Sequence, residues 1–268
     1  MIKTQRLFKR KWLSACSVLL LSFSHPAFAF DSVASAYKSW LDQGNHPVIA
    51  LGLGGYVTTN IGDSQTFPIH EPQTDSFYIY SANQAMQVVS FGSLFLGDEW
   101  AISDRDWLMQ AGVEYSESTG LRAKGSLVQG ATDASQNHYE YQYNIITRQI
   151  LIDGKILYTT HLFFHPYVFA GVGMGINMAS DYNTTVPPDI TFTQEYKSKN
   201  TPTFSYAFGF GMDIDIHQNV RLGMGYRFTN LGKVSLGSAT IDGISVPGTL
   251  SQNTLYTHVL FAQLSLVL

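Results

Sequence analysis

The chain has 268 residues, of which 45% are hydrophobic, 13% aromatic and only 13% charged. Its formal net charge is −4, from 16 basic and 20 acidic residues, and five of the basic residues (Lys3, Arg6, Lys9, Arg10, Lys11) fall in a first stretch without acids. Without that stretch 11 basic residues face 20 acidic ones, a net of −9, which excludes nucleic acid as a partner because that calls for a basic face.

The N-terminus reads as three consecutive regions. Basic residues 1–11 precede the apolar run 12–23, and Ala27-x-Ala29 supplies a small-residue cleavage site, the order of a secretory signal peptide. Twelve apolar positions are too few for a spanning helix, which needs about 20. We expect residues 1–29 to be removed between Ala29 and Phe30. Leu13-Ser14-Ala15-Cys16 has the form of a lipoprotein box, but most of the apolar run follows Cys16 instead of preceding it. Without Cys16 the exported chain holds no cysteine, hence no disulfide and no thiolate ligand or nucleophile. Residues 30–46 form a short periplasmic segment, with Val33, Tyr37, Trp40 and Leu41 spaced for one helical face.

From residue 47 onward the pattern has period two, which means strands. Expected strands are 47–58, 77–97, 107–128, 138–157, 166–178, 203–216, 219–231 and 254–268. The segment 204–216 alternates Phe204, Tyr206, Phe208, Phe210, Met212, Ile214 and Ile216 with Ser205, Ala207, Gly209, Gly211, Asp213 and Asp215. The segments 166–178, 220–228 and 260–268 repeat the scheme. A water-soluble sandwich would turn its apolar face inward and show Lys, Glu and Thr outside. Here the second face is small or charged, which suits the lumen of a narrow transmembrane barrel with its apolar face on lipid. Connections after strands one, three, five and seven (59–76, 129–137, 179–202, 232–253) are long and polar. Those after two, four and six are short. That asymmetry predicts external loops at one end, tight turns at the other and both termini in the periplasm. Trp100 and Trp107 flank one short turn, and Tyr56, Tyr139, Tyr141, Tyr182 and Tyr256 lie near the other rim, as interfacial belts would.

The runs HPYVFAGVGMGINMA (165–179) and FGFGMDIDIHQNVRLGMGYRFTNLG (208–232) resemble the closing strands of opacity-like, OmpA-type outer-membrane proteins of Gram-negative bacteria. The resemblance covers the exported chain and is strongest over 92–268. It implies an all-β fold, a transmembrane antiparallel up-and-down barrel of eight strands over 47–268, whose external loops contact the surroundings. It also implies outer-membrane lipid, lipopolysaccharide and the outer-membrane assembly machinery as partners, with a host or surface ligand at the loops. The terminal aromatic often found in that pattern is replaced here by Leu268.

No Gly-x-Ser-x-Gly elbow and no His-Glu-x-x-His motif occurs. His258, with Ser251 and Thr257 nearby in sequence, is the position where a lipid-acting enzyme could operate. The reading here is no catalytic residue, no metal and no cofactor. Glu114, Asp213, Asp215, Arg221 and Arg227 are expected to face the lumen, where a low dielectric demands pairing. The expected role is that of a non-enzymatic surface barrel, structural or adhesive. The alternatives are a narrow pore and a lipid-acting enzyme.

Overall fold

A computed structural model of the chain describes residues 44–268, apart from 59–60, 72–73, 85, 104–105, 131–136, 160–162, 186–194, 242–243 and 247. Side chains at 56–58, 69–71, 74–76, 103, 137, 241, 244 and 246 also lie outside the description. The signal segment, residues 30–43 and Pro187-Pro188 therefore fall outside the described residues.

Alternating apolar and small residues leave little choice but extended chain, and thirteen strands form. They are β1 His46–Thr58, β2 Gln65–Glu71, β3 Thr74–Ala82, β4 Gln87–Ser103, β5 Trp107–Gly130, β6 Asn137–Tyr158 and β7 Phe164–Thr185. β8 Glu195–Tyr196, β9 Lys199–His217, β10 Val220–Ser235, β11 Ala239–Ile241, β12 Ile244–Val246 and β13 Ser251–Val267 follow. Eight of them close into a ring, β1-β4-β5-β6-β7-β9-β10-β13, and every pairing in it is antiparallel. Closure comes from the first strand meeting the last, with Leu51 opposite Leu264.

The register fixes the tilt. Direct cross-strand partners lead from Phe204 through Met174, Ile150, Tyr115, Leu94, Leu51, Leu264 and Leu222 to Ile214, back on β9. The path returns displaced from 204 to 214, a shear of ten residues over eight strands. At about 3.3 Å per residue and about 4.8 Å per strand, the strands incline by about 40°. Every residue on that path is apolar or aromatic, and eight of the nine point outward to an exposed or half-exposed position. On β9 the apolar outer row runs from Phe204 to Ile216. At that tilt it is about 30 Å tall, the thickness of a bilayer hydrocarbon core. Leu53, Ile152, Met174 and Leu260 are each about 70% exposed on this wall (72%, 69%, 69% and 71%). Lumen-facing partners are Glu99, Gln110, Glu114, Ser116, Gln149, Asp153, Lys155, Asp213, Arg221 and Arg227, all buried. Apolar outside and polar inside is the arrangement of a transmembrane barrel.

Above this band the pattern inverts. β6 shows it within one strand. Ile150, Ile152 and Ile156 point outward in the lower half, whereas Tyr139, Tyr141, Tyr143 and Ile145 point inward in the upper half and Glu140 and Gln142 are exposed. Three irregularities mark the change: Ser118/Leu121 on β5, Gln142/Asn144 opposite Asp181 on β7, and Asn230/Gly232 on β10. Gly120 (φ 84°), Asp181 (φ 55°) and Gly232 (φ 73°) take the left-handed backbone that such bulges need. On β5 the extra residues switch parity. Even residues 108–118 face in below, and Leu121, Ala123 and Leu127 face in above.

Several expectations need correction. The second barrel strand is Gln87–Ser103, not 77–97, because 77–82 pairs away from β4, in a hairpin with β2. That hairpin docks on the upper part of β5, with Ala82 opposite Gly125. The stretches 59–76, 179–202 and 232–253 are only partly loop: they contain β2, the ends of β7, β9 and β10, and β8, β11 and β12. Tyr139 and Tyr141 are not an interfacial belt. They are buried in an apolar cap inside the upper barrel, with Ile61, Tyr78, Tyr80, Leu121, Leu127, Tyr196, Leu236 and Leu255. β1 begins at His46, one residue before the expected boundary.

Candidate functional site

Two interiors are stacked in this barrel, a charged lumen below and an aromatic cap above. In the lumen, parity delivers the charges: each sits on a strand position whose neighbours at i±1 face lipid. Arg221 on β10 donates through Nη2 to Glu99 Oε1 at 2.8 Å, through Nη1 to Glu99 Oε2, and through Nε to Asp215 Oδ1 at 3.0 Å. Gln110 donates to Glu99 at 2.6 Å. The other oxygen of Asp215 meets His165 Nε2 at 2.7 Å. Lys155 bonds Asp213 at 2.6 Å and lies 3.9 Å from the centre of the Tyr167 ring. Arg227 pairs with Glu114, donates to Thr229 at 3.2 Å and sits between the Phe91 and Phe169 rings.

All five residues singled out from the sequence face this lumen. Two pairs among them meet, Arg221–Asp215 and Arg227–Glu114. Asp213 instead bonds Lys155, which the sequence reading missed together with Glu99 and His165. Lys155 shares parity with Asp153 and Leu151 and opposes the lipid-facing Ile152 and Ile156, so β6 alone carried the signal. Glu99 was lost because the second strand was ended two residues too early.

Glycines make room for these groups. A Cβ at Gly171 would lie 1.4 Å from Asp153 Oδ1, and one at Gly223 2.4 Å from Asp213 Oδ1. Tyr167 lies across Gly211 and Gly225, with its hydroxyl 2.4 and 2.6 Å from where their Cβ atoms would be. An aromatic ring covering a glycine on the next strand restores packing that the glycine lacks.

In the cap, Tyr80 packs edge-on against Tyr141 and Tyr196 at ring distances of 5.1 and 6.2 Å, and Tyr182 meets Tyr196 at 4.9 Å. Burial pushes the phenols of Tyr80, Tyr143 and Tyr196 up from their ordinary value, and that of Tyr141 up to about 12. The hairpin β2–β3 and the small sheet β12-β11-β8 contribute side chains to this cap.

His258 faces outward and bonds the Tyr226 hydroxyl through Nδ1 at 2.6 Å, between the Phe228 and Tyr226 rings. Thr257 is buried on the opposite face, and Ser251 is engaged by Gln65. The three residues that suggested a lipid-acting centre are therefore not brought together. Among the described residues no three of His, Cys, Asp and Glu converge as metal ligands.

No protein-family model matches the chain, and no curated protein matches it by sequence. Among solved structures it is similar to Neisserial surface protein A, at 12% identity and a TM-score of 0.37, over 84% of this chain and 99% of that one. The outer membrane protein OprG from Pseudomonas aeruginosa follows at 12% and 0.40, over 83% and 95%. The outer membrane protease OmpT from Escherichia coli is similar at 10% and 0.42, over 84% and 97%. These proteins differ in role, and the likeness transfers none of those roles to this chain.

Proposed function

We propose that this protein is a non-enzymatic surface barrel of the bacterial outer membrane, which stabilises the membrane and interacts through the part that stands above the lipid. One observation carries the reading: a closed apolar wall about 30 Å tall surrounds a charge-paired lumen, and an apolar cap fills the barrel above it. An aqueous route across the membrane would have to pass both the Arg221–Glu99 crossbar and the packed tyrosines. That favours a closed barrel over a pore. The termini of the ring strands share the end opposite the cap, which puts both on the periplasmic side if the cap faces outward.

The experiment is gel migration of the outer-membrane fraction in mild detergent, heated against unheated, combined with protease treatment of intact cells. We expect a heat-dependent shift, protection of the wall strands and cleavage confined to the cap. Identical migration, with soluble periplasmic protein, would overturn the membrane reading. Single-channel steps in planar bilayers would replace the closed barrel with a pore.

A further inference from the structure

On the outer wall just above the apolar band lies a cleft of about 600 Å³, the size range of small-ligand sites. β3, β5, β6 and β7 build it from outward side chains. One row of direct cross-strand partners reads Ser81, Ser126, Glu140 and Thr185, and the next reads Lys124, Gln142 and Asn183. Asn83 and Gln84, where the chain leaves β3 for β4, form one rim. On the same strands, lower down, the outer row is Val113, Ile152 and Val172. The hollow has a cause. The bulges at Ser118/Leu121 and Gln142/Asn144 occur at neighbouring heights on adjoining strand pairs, and bulged strands bend.

We propose that this cleft is a saccharide-binding site. Seven of its lining residues are Ser, Thr, Asn, Gln, Lys or Glu with exposed side chains, and no exposed aromatic or aliphatic anchor is present for a peptide. Amides and hydroxyls each donate and accept, which matches sugar hydroxyls that do both. Lys124 adds one cation for a phosphate or carboxylate on the sugar. Two sources share this chemistry: the core sugars of lipopolysaccharide in the same membrane, which start at this height, and a free glycan from outside. The height argument rests on the outer-membrane reading above.

The test uses the full-length exported protein in lipid nanodiscs. Saturation-transfer NMR is recorded with core oligosaccharide released from lipopolysaccharide, and with a neutral malto-oligosaccharide as a second probe. Gln142→Leu and Ser126→Leu fill the cleft from exposed positions, and unheated gel migration reports whether each variant is folded. We expect binding of at least one probe and about tenfold weaker binding in folded Gln142→Leu, the scale of one or two lost hydrogen bonds. Competition by lipopolysaccharide-containing nanodiscs identifies the membrane's own sugars as the source, and its absence identifies a free glycan. Folded variants that bind as well as the parent, or no saturation transfer to either probe, overturn the site while leaving the barrel intact. Loss of heat-dependent migration in the parent itself overturns the barrel reading instead.

Discussion

Arg221 and Glu99 are 122 positions apart, three strands apart around an eight-stranded ring, and joined by two parallel N–H···O bonds across the lumen. Both are essentially sealed from solvent, with side chains 2% and 0% exposed. Nε of the same arginine holds Asp215, which in turn holds His165. One guanidinium thus serves two carboxylates on β4 and β9, and this crossbar ties opposite sides of the wall. Breaking a buried ion pair by removing one partner costs about 3–5 kcal/mol, because the other charge is left without compensation. Arg221→Met is therefore expected to lower the urea midpoint of the folded, fast-migrating form substantially. Arg221→Lys presents a point charge in place of a planar fork and recovers only part of the loss. The double variant Arg221→Met with Glu99→Gln is expected to be more stable than Arg221→Met alone. A double variant that is no better would show that Glu99 is not the group left stranded.

The glycines give a prediction with an internal control. A Cβ at Gly211 would stand 2.4 Å from both the Met224 carbonyl oxygen and the Tyr167 hydroxyl. Gly211→Ala must displace Tyr167 from above Gly225 and with it the ring beneath Lys155. Overpacking of this kind costs about 1–3 kcal/mol. Gly154 and Gly92 have nothing within 4 Å of the added atom. Their alanine variants should assemble and melt like the parent, judged by the temperature at which the fast-migrating band disappears. Equal losses at Gly92 and Gly211 would mean that strand flexibility, not the ring contact, is what these glycines supply.

Much of the wall was legible because membrane and lumen impose opposite demands at period two. Phe204 to Ile216 showed its apolar row without interruption, and that row faces lipid. The cap was not legible in the same way, for two physical reasons. Above the band the environment outside changes from lipid to water, so Tyr139, Tyr141 and Tyr143 gain by turning inward on the same β6 that shows Ile150 and Ile152 to lipid. Extending the parity of Ile150 and Ile152 eleven residues back would have placed those tyrosines inside. On β5 even that would fail, because the bulge at Gly120 reverses parity between Ser118 and Leu121. Among the charges, Glu114, Asp213, Asp215, Arg221 and Arg227 were readable from alternation. Their partners Glu99, Lys155 and His165 come from other strands, and only the register around the ring brings them close.

The cap should respond to alkali. Its phenols are held protonated by burial, with Tyr141 pushed up to about 12 and Tyr80, Tyr143 and Tyr196 also raised. Unfolded tyrosine ionises near 10. Below that pH both states carry the proton and cap stability does not depend on these groups. Above it the open chain releases protons that the closed cap retains, so stability falls as pH rises from about 10 toward the raised values. Absorbance at 295 nm should show these tyrosines titrating late and together with protease sensitivity of the hairpin β2–β3. Ionisation of every tyrosine near pH 10, with the cap still protease-resistant, would contradict the burial described here.

The hairpin is also held by side chains that imitate a strand. Gln65 donates through Nε2 to the Ser251 carbonyl at 2.7 Å, and its Oε1 accepts from the Ser251 amide at 3.1 Å. Gln87 does the same to Arg122, accepting its amide at 3.0 Å and donating to its carbonyl. Each glutamine stands where a ladder is interrupted: one between β2 and β13, the other where β3 hands over to β4 along β5. A glutamate would keep the acceptor but present no donor to the carbonyl, and its charge would face that oxygen. Gln65→Glu and Gln65→Leu should therefore both free the Ser251 amide. We expect about tenfold to hundredfold faster hydrogen exchange there, the scale of about 1–3 kcal/mol for a backbone pair left unmet. Amides in the lower wall, such as those of Ile150 and Leu151, should exchange as in the parent. If Ser251 stays protected in both variants, the seam between β2 and β13 is closed by the apolar cap alone and the glutamine is dispensable.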